Sequence, residues 1–224
     1  MAGIQGVIFD FNGTMIFDSP IHRAVWHDFI PEHTGQTITD EQVDRTMLGR
    51  DNAHILRQYF GNISDAEVER LAYEKEAEYR RRCLQDPVHF RLVDGLVPFL
   101  DYLKQIKMPM TIATGSEILN VKFFFEQFDL GKWFDFEKVV YDDGTFPGKP
   151  FPDIYRLATS RLGLDPAVCL VFEDSFSGIR AAHDAGIGHI VALSQLSPAP
   201  DYKCSGGVDA AVNDFTDAIG FLTL

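Results

Sequence analysis

Short, continuous runs of apolar residues recur at wide intervals along the chain, and this spacing restricts the fold strongly. Five runs are predicted to be strands, 6–9, 110–113, 168–172, 189–193 and 210–212, and 136–140 is a weaker sixth candidate. Continuous apolar runs of this length are typical of parallel strands that are covered on both faces. From Leu92 onward they alternate with segments in which apolar residues recur every three or four positions. The alternation predicts an α/β fold with a doubly wound, Rossmann-like parallel sheet.

The stretch between the first two strands has a different character, because it contains helix-like patterns and no convincing strand. Its helix-like segments are 20–30, 41–47, 52–60 and 64–84. We therefore predict an all-helical domain, residues 16–91, inserted into an α/β domain made of residues 1–15 and 92–224. The chain has 224 residues, which is enough for a core domain and a smaller second one.

Charge and composition exclude several classes of partner. Acidic residues outnumber basic ones 33 to 20, which gives a net charge of -13. Such a chain is repelled by nucleic acid and by anionic membranes, so we expect neither as a partner. No apolar run approaches the roughly 18 residues that a membrane span needs. The three cysteines are scattered, which favours reduced thiols and a cytoplasmic location, and we expect a monomer.

Polar residues stand where predicted strands end, and ligands of parallel sheets bind at those ends. The relevant segments are Asp10-Phe11-Asn12-Gly13-Thr14, Thr114-Gly115-Ser116, Gly148-Lys149-Pro150 and Glu173-Asp174-Ser175. Taken singly, each has a structural alternative: a turn, a helix cap, a loop or a solvated lysine. An acid, a hydroxyl, a lysine and a pair of acids in this order indicate a single site.

These residue types suit phosphoryl transfer. Asp10 and Asp174 offer the hard oxygen ligands that Mg²⁺ prefers, and a carboxylate can attack phosphorus to form an aspartyl phosphate. Lys149 and the Thr114 hydroxyl can stabilise charge on the transferring oxygens. Further donors are expected from the backbone N–H groups of residues 12–14 and of Gly115 and Ser116, which are predicted to start a helix. Gly13 allows a sharp turn beside the nucleophile.

The four segments resemble the motifs of the haloacid dehalogenase-like superfamily, most closely its β-phosphoglucomutase and sugar-phosphate phosphatase group with a helical cap. The resemblance implies that Asp10 is the nucleophile and a metal ligand. It implies that Asn12 offers its backbone carbonyl to Mg²⁺, and that Asp174 ligates the ion with Glu173 beside it. Phosphate-binding positions implied or predicted are Gly13, Thr14, Thr114, Gly115, Ser116 and Lys149.

Position 12 departs from the family pattern, which usually has Asp there as general acid and base. An amide cannot exchange a proton near neutral pH, and such catalysis is typically worth about 10²–10⁴ in rate. Three explanations remain open: a natural variant with modest activity, a phosphate binder with little turnover, or an engineered or deamidating Asn. His22 and Asp18 could supply an acid from the cap, although His22 also suits a structural polar position on a cap helix.

Substrate choice is expected in the inserted helices. Residues 48–52 resemble the substrate loop of the family's caps, where Gly49 would permit close approach and Arg50 would pair with a second anionic group. Arg50 could equally be a solvated loop charge. Asn52 and His22 would bind hydroxyls. We expect a Mg²⁺-dependent phosphohydrolase for a small phosphorylated metabolite, with a sugar phosphate favoured; a β-phosphoglucomutase-like isomerase and a catalytically weak phosphate-binding protein are the alternatives.

Overall fold

The computed structural model describes residues 3–47, 51–195 and 200–223, and the chain divides into two compact units. The α/β unit comprises residues 1–16 and 92–224, and the helical unit comprises residues 17–91. The sequence-based boundary placed Ile16 in the helical insertion. Ile16 instead belongs to the α/β unit because it forms β-bridges with Asn12 and with Leu92.

The α/β unit is built on a six-stranded parallel sheet with strand order β3-β2-β1-β4-β5-β6. The strands are β1 (Gly6–Phe9), β2 (Met110–Glu117), β3 (Val140–Asp142), β4 (Cys169–Glu173), β5 (His189–Leu193) and β6 (Ala210–Val212). β1 lies at the centre, where Ile8 is in register with Thr111 of β2 and with Val171 of β4. The strand order reverses between β1 and β4, and a crevice for ligands forms at such a reversal.

Helices connect the strands, and four more make up the helical unit. In the described ranges they are α1 (Ser19–Thr34), α2 (Asp40–Thr46), α3 (Asn52–Phe60), α4 (Asp65–Cys83), α5 (Leu96–Gln105), α6 (Ile118–Phe128), α7 (Asp153–Leu162) and α8 (Phe176–Asp184). The predicted doubly wound α/β sheet and its helical insertion are thus both present. Within the described residues, no helix has the length and apolar character needed to cross a membrane.

Aromatic side chains fill one side of the sheet around β1. Phe9 stacks on Phe172 of β4 with ring centroids 5.5 Å apart, and it meets Phe99 of α5 edge to face at 6.1 Å. Phe215 closes the cluster 5.0 Å from Phe172. Aromatic pairs in such offset and edge-to-face arrangements add to the stabilisation that burial provides. The cluster fixes the two strands whose ends carry Asp10 and Glu173.

The third strand differs from its prediction. Residues 136–140 read as a weak strand, but Phe136–Lys138 forms a 3-10 turn and β3 starts only at Val140. Asp135 explains the difference, because its carboxylate accepts the N–H of Glu137 and so favours a turn at this point. The Phe136 ring packs edge to face against Phe125 of α6. The Phe136 ring therefore covers α6, and of the predicted segment only Val140 joins the sheet.

The helical unit has an apolar core of its own. Trp26 and Phe29 of α1 pack with Ile55 and Leu56 of α3 and with Leu71 of α4. At the start of α4 the Ser64 hydroxyl caps the helix by accepting the N–H of Glu67 at 3.3 Å. The Glu67 carboxylate pairs with Arg70, one turn further along the same helix.

We predict that Phe9→Ala lowers the free energy of unfolding by about 3–5 kcal/mol, because the buried ring leaves a cavity between β1, β4 and α5. Urea denaturation of the full chain measures the change. Phe151→Ala is the matched control, since the Phe151 ring is 57% exposed and its loss should cost about 0.5 kcal/mol or less. Equal losses in the two variants would contradict the central role of Phe9.

Candidate active site

Three carboxylates meet at the crevice between the carboxyl ends of β1 and β4. Asp10 follows β1 directly, while Glu173 ends β4 and Asp174 follows it. One carboxylate oxygen of each residue lies within 4.8 Å of the others. Asp10 and Glu173 are buried, so water screens their mutual repulsion poorly. The site therefore needs a positive charge among these carboxylates.

Lys149 supplies that charge. Its Nζ donates to Asp10 Oδ1 at 2.5 Å and to Glu173 Oε1 at 2.6 Å. Burial alone lowers the pKa of Lys149, but the Asp10 and Glu173 carboxylates outweigh it and hold that pKa well above its ordinary value. Burial raises the pKa of Asp10 to about 7, with Lys149 opposing the rise and Glu173 adding to it. Any further cation beside Asp10 would favour its ionised form.

Glu173 is held from both sides. Its Oε2 accepts the backbone N–H groups of Asp174 and Ser175 and the Ser175 hydroxyl, while its Oε1 accepts Lys149 and the Tyr155 hydroxyl. A carboxylate has roughly four lone-pair positions, so these five donors saturate it. Gly178 makes room for this carboxylate, since a Cβ there would lie 1.6 Å from Oε1. The role of Glu173 as a metal ligand stays a prediction.

The loop after β1 folds tightly against Asp174. Gly13 has a φ of +83°, and a Cβ on it would lie 2.2 Å from Asp174 Oδ2, so a side chain is excluded twice. The Thr14 hydroxyl donates to Asp174 Oδ1 at 3.3 Å. The backbone N–H groups differ from the prediction, because that of Gly13 donates to Ile16 O and that of Thr14 to Phe11 O. These two groups close the turn instead of pointing toward a ligand.

The end of β2 also differs from its prediction in one respect. Gly115 and Ser116 are not at a helix start, because β2 continues to Glu117 and α6 begins at Ile118. The Ser116 N–H donates to Thr114 Oγ1 at 3.1 Å, and the Ser116 hydroxyl donates to Asn12 Oδ1 at 2.7 Å. Ser116 thus links the loop after β1 to the end of β2 and fixes the direction of the Asn12 amide.

The donor set at the crevice fits a hard divalent cation. Asp10 and Asp174 offer carboxylate oxygens, and magnesium and calcium both prefer oxygen ligands. Because Gly13 has no side chain, the Asp174 carboxylate can pack closely against the loop that follows Asp10. The two carboxylates follow different strands, and the fold brings these strand ends together. Asp10 and Asp174 thus lie in one cluster with Glu173, and their role as metal ligands stays a prediction.

Comparison with known proteins identifies the family. A model of the haloacid dehalogenase-like hydrolases matches residues 4–186. The chain belongs to the haloacid dehalogenase-like hydrolase family. Fructose-1-phosphate phosphatase YqaB of Escherichia coli is 32% identical over 185 residues, which cover 81% of the chain and 93% of that protein. The Phosphorylated carbohydrates phosphatase of Thermotoga maritima is 29% identical over 84% of both chains.

Solved structures of the family share this fold. A haloacid dehalogenase hydrolase of family IA, variant 3, from Entamoeba histolytica superposes with a TM-score of 0.86 and 32% identity, covering 98% of this chain and 99% of that one. CbbY from Rhodobacter sphaeroides in complex with phosphate superposes with a TM-score of 0.81 and 20% identity, covering 98% and 99% of the two chains. The second likeness concerns the fold alone.

In this haloacid dehalogenase-like hydrolase, two predicted substrate residues belong to one buried network of the helical unit. His22 Nδ1 lies 3.1 Å from Lys75 Nζ, and Lys75 Nζ donates to Glu76 Oε1 at 2.7 Å. Asn52 Nδ2 donates to the same Glu76 oxygen at 2.7 Å. On the other side, His22 Nε2 lies 3.3 Å from Asp18 Oδ2, which also accepts the Tyr79 hydroxyl. Gly49 and Arg50 lie outside the described residues.

Lys75 and Glu76 are not among the residues predicted from the sequence, because the many charges of residues 67–82 indicate a solvated helix face. Both side chains are buried on the face of α4 that packs inward. Positions 71, 75, 79 and 83 are four residues apart and so lie on one face of the helix. Lys75 occupies one of them, and Leu, Tyr and Cys occupy the other three. A lysine on an apolar stripe of a helix is the signal that could have found this network.

The network carries a strongly paired carboxylate. Burial raises the pKa of Glu76, but Lys75, His22 and the hydrogen bond from Asn52 outweigh burial and lower that pKa to about 2. Because the folded-state pKa lies below the unfolded value of 4.5, the pairing stabilises the fold above pH 4.5. This stabilisation disappears as the pH falls toward 2.

We predict that Glu76→Gln lowers the free energy of unfolding by about 3 kcal/mol at pH 7 and by progressively less between pH 4.5 and pH 2. Urea denaturation followed by Trp26 fluorescence in a Trp133→Phe background measures it. Glu69→Gln, on the exposed face of the same helix, is the control and should lower the free energy of unfolding by about 0.5 kcal/mol or less both at pH 7 and between pH 4.5 and pH 2. A gap between wild type and Glu76→Gln that stays constant with pH would contradict the pairing.

Proposed function

We propose that this protein is a Mg²⁺-dependent phosphatase that hydrolyses a small phosphorylated metabolite, with a sugar phosphate as the favoured class. The observation that carries the proposal is the Asp10 carboxylate at the end of β1, held by Lys149 and close to Asp174. Family membership and the names of two relatives, both phosphatases of phosphorylated sugars, support the substrate class.

The reaction proceeds in two displacements at phosphorus. An Asp10 carboxylate oxygen forms a bond to phosphorus while the ester P–O bond breaks, and the leaving oxygen takes a proton from solvent water and departs as the alcohol. Water then attacks the aspartyl phosphate, the bond from Asp10 to phosphorus breaks, and inorganic phosphate and a proton leave. The Lys149 ammonium and the Thr114 hydroxyl donate to the non-bridging oxygens, which carry most of the transition-state charge.

Asp10 and Asp174 would hold the Mg²⁺ ion, together with the Asn12 backbone carbonyl that the resemblance assigns. When bound, the ion cancels repulsion between the attacking carboxylate and the phosphoryl oxygens. Glu173 has its lone pairs occupied by five donors, so its contribution is to hold Lys149 in place. Lys149 can turn toward the phosphoryl group because the ion would take over its interaction with Asp10.

Asn12 makes proton transfer the slow part of this reaction. Its amide cannot protonate a leaving oxygen or activate water, and its Oδ1 already accepts the Ser116 hydroxyl. Esters with good leaving groups should therefore react faster than simple alkyl esters. A phosphate-binding protein with little turnover is the second candidate, and the same amide at position 12 is the observation that favours it.

We expect Asn12→Asp to raise kcat by about 10² or more on alkyl phosphates, because the carboxyl group restores a proton donor at a site where Ser116 can still bind it. Phosphate release from a panel of sugar phosphates with Mg²⁺ measures the change. Intact-mass analysis with peptide mapping of the wild type first establishes that position 12 is Asn. An unchanged rate would favour the phosphate-binding alternative.

Asp10→Asn should abolish phosphate release in wild type and in the Asn12→Asp background, because the nucleophile is lost in both. Removal of Mg²⁺ by EDTA should stop release, and added Mg²⁺ should restore it. Asp209→Asn is a control at the far end of β5, where the Asp209 carboxylate accepts the Ile190 N–H. Phosphate release that survives Asp10→Asn would rule out the aspartyl phosphate route.

A further inference from the structure

Tyr155 of α7 touches both members of the ion pair at the crevice, and neither the resemblance nor the comparisons assign it a role. Its side chain is fully buried. The hydroxyl donates to Glu173 Oε1 at 3.2 Å, and the Lys149 Nζ lies 5.3 Å from the centroid of its ring. One side chain therefore meets the carboxylate with its polar end and the ammonium with its ring face.

We propose that Tyr155 is a positioning residue for phosphoryl transfer. By binding Glu173, Tyr155 limits how strongly Glu173 binds Lys149, so the Lys149 ammonium stays available to the phosphoryl group. The inference rests on the proposed phosphoryl-binding role of Lys149. It concerns a residue that does not itself contact the reacting atoms, because its hydroxyl is directed to Glu173.

The hydroxyl acts through a shared oxygen. Glu173 Oε1 accepts both Lys149 at 2.6 Å and Tyr155 at 3.2 Å. A second donor on an oxygen lowers the electron density that the first can attract, so Tyr155 weakens the bond from Lys149 to Glu173. Without the hydroxyl, the buried carboxylate would depend on Lys149 alone at Oε1 and would draw the ammonium away from a phosphoryl group.

The ring acts on the ammonium directly. An aromatic face stabilises a buried cation without accepting one of its hydrogen bonds. Lys149 has three N–H donors, which face Asp10, Glu173 and, at 3.5 Å, the carbonyl of Ala113, and the Tyr155 hydroxyl also interacts with the ammonium. Because the Tyr155 ring stabilises the charge, one N–H donor of Lys149 can move from Asp10 to a phosphoryl oxygen while the ammonium stays stabilised.

Two substitutions separate these contacts. Tyr155→Phe removes the hydroxyl and keeps the ring, whereas Tyr155→Leu removes both. Thr159→Val is the matched control, because Thr159 lies one turn further along α7, is equally buried, and loses a hydroxyl bonded only to the Arg156 carbonyl among its recorded contacts. Each variant is assayed with p-nitrophenyl phosphate and Mg²⁺ for kcat and KM, with inorganic phosphate for its inhibition constant, and for Tm.

We expect Tyr155→Phe to lower kcat/KM about tenfold and to raise the inhibition constant of inorganic phosphate by a similar factor, with a Tm equal to that of Thr159→Val. Tyr155→Leu should lower kcat/KM further. Thr159→Val should keep both constants within twofold of wild type. Tyr155→Phe values within twofold of wild type, or equal losses in Thr159→Val, would overturn the positioning role.

The proposed function and this inference fail in different ways. A wild type that hydrolyses no ester but binds inorganic phosphate contradicts the phosphatase, and the affinity of Tyr155→Phe for inorganic phosphate, measured by calorimetry with Mg²⁺, then decides the role of Tyr155. A tenfold weaker affinity supports it and an unchanged affinity overturns it. A wild type that neither hydrolyses esters nor binds phosphate overturns both.

Discussion

The arrangement of the α/β unit depends on one ammonium among buried carboxylates. Lys149 lies between Asp10 and Glu173, and its ammonium pairs with both of these buried carboxylates. The ammonium reaches them because the loop between β3 and α7 returns to the strand ends where the sheet reverses its order. The same charge that balances these carboxylates is suited to stabilise a phosphoryl group there. The folded structure and the proposed phosphoryl transfer therefore both need a positive charge at this position.

Close backbone approach makes that distribution possible. Side chains are excluded at Gly13 and Gly178 because the Asp174 and Glu173 carboxylates occupy the space where a Cβ would be. Each carboxylate then accepts donors from the neighbouring backbone or from a hydroxyl: Thr14 for Asp174, and Ser175 for Glu173. Packing the acids against glycines places them at fixed distances from Asp10, and such preorganisation is worth more than flexible charge at a site for phosphoryl transfer.

The helical unit solves a similar physical problem with different residues. Lys75 is buried against the Glu76 carboxylate, and its ammonium lies 4.9 Å from the centroid of the Trp26 ring. Lys149 has the same kind of surroundings in the α/β unit, with Glu173 and the Tyr155 ring. In both places a buried ammonium pairs with carboxylate and also faces an aromatic ring, and the two contacts together stabilise the charge.

The class of fold, the helical insertion and the four segments of the site could be predicted from the sequence, because they depend on local periodicity and on where strands end. Asp10, Lys149 and Asp174 follow from that pattern. Tertiary structure alone decided how the polar groups pair. The N–H groups of Gly13 and Thr14 close a turn, Ser116 binds Asn12, and Glu173 is saturated. Lys75 and Tyr155 acquire their surroundings only through packing, since their partners lie on other elements that a one-dimensional pattern does not bring together.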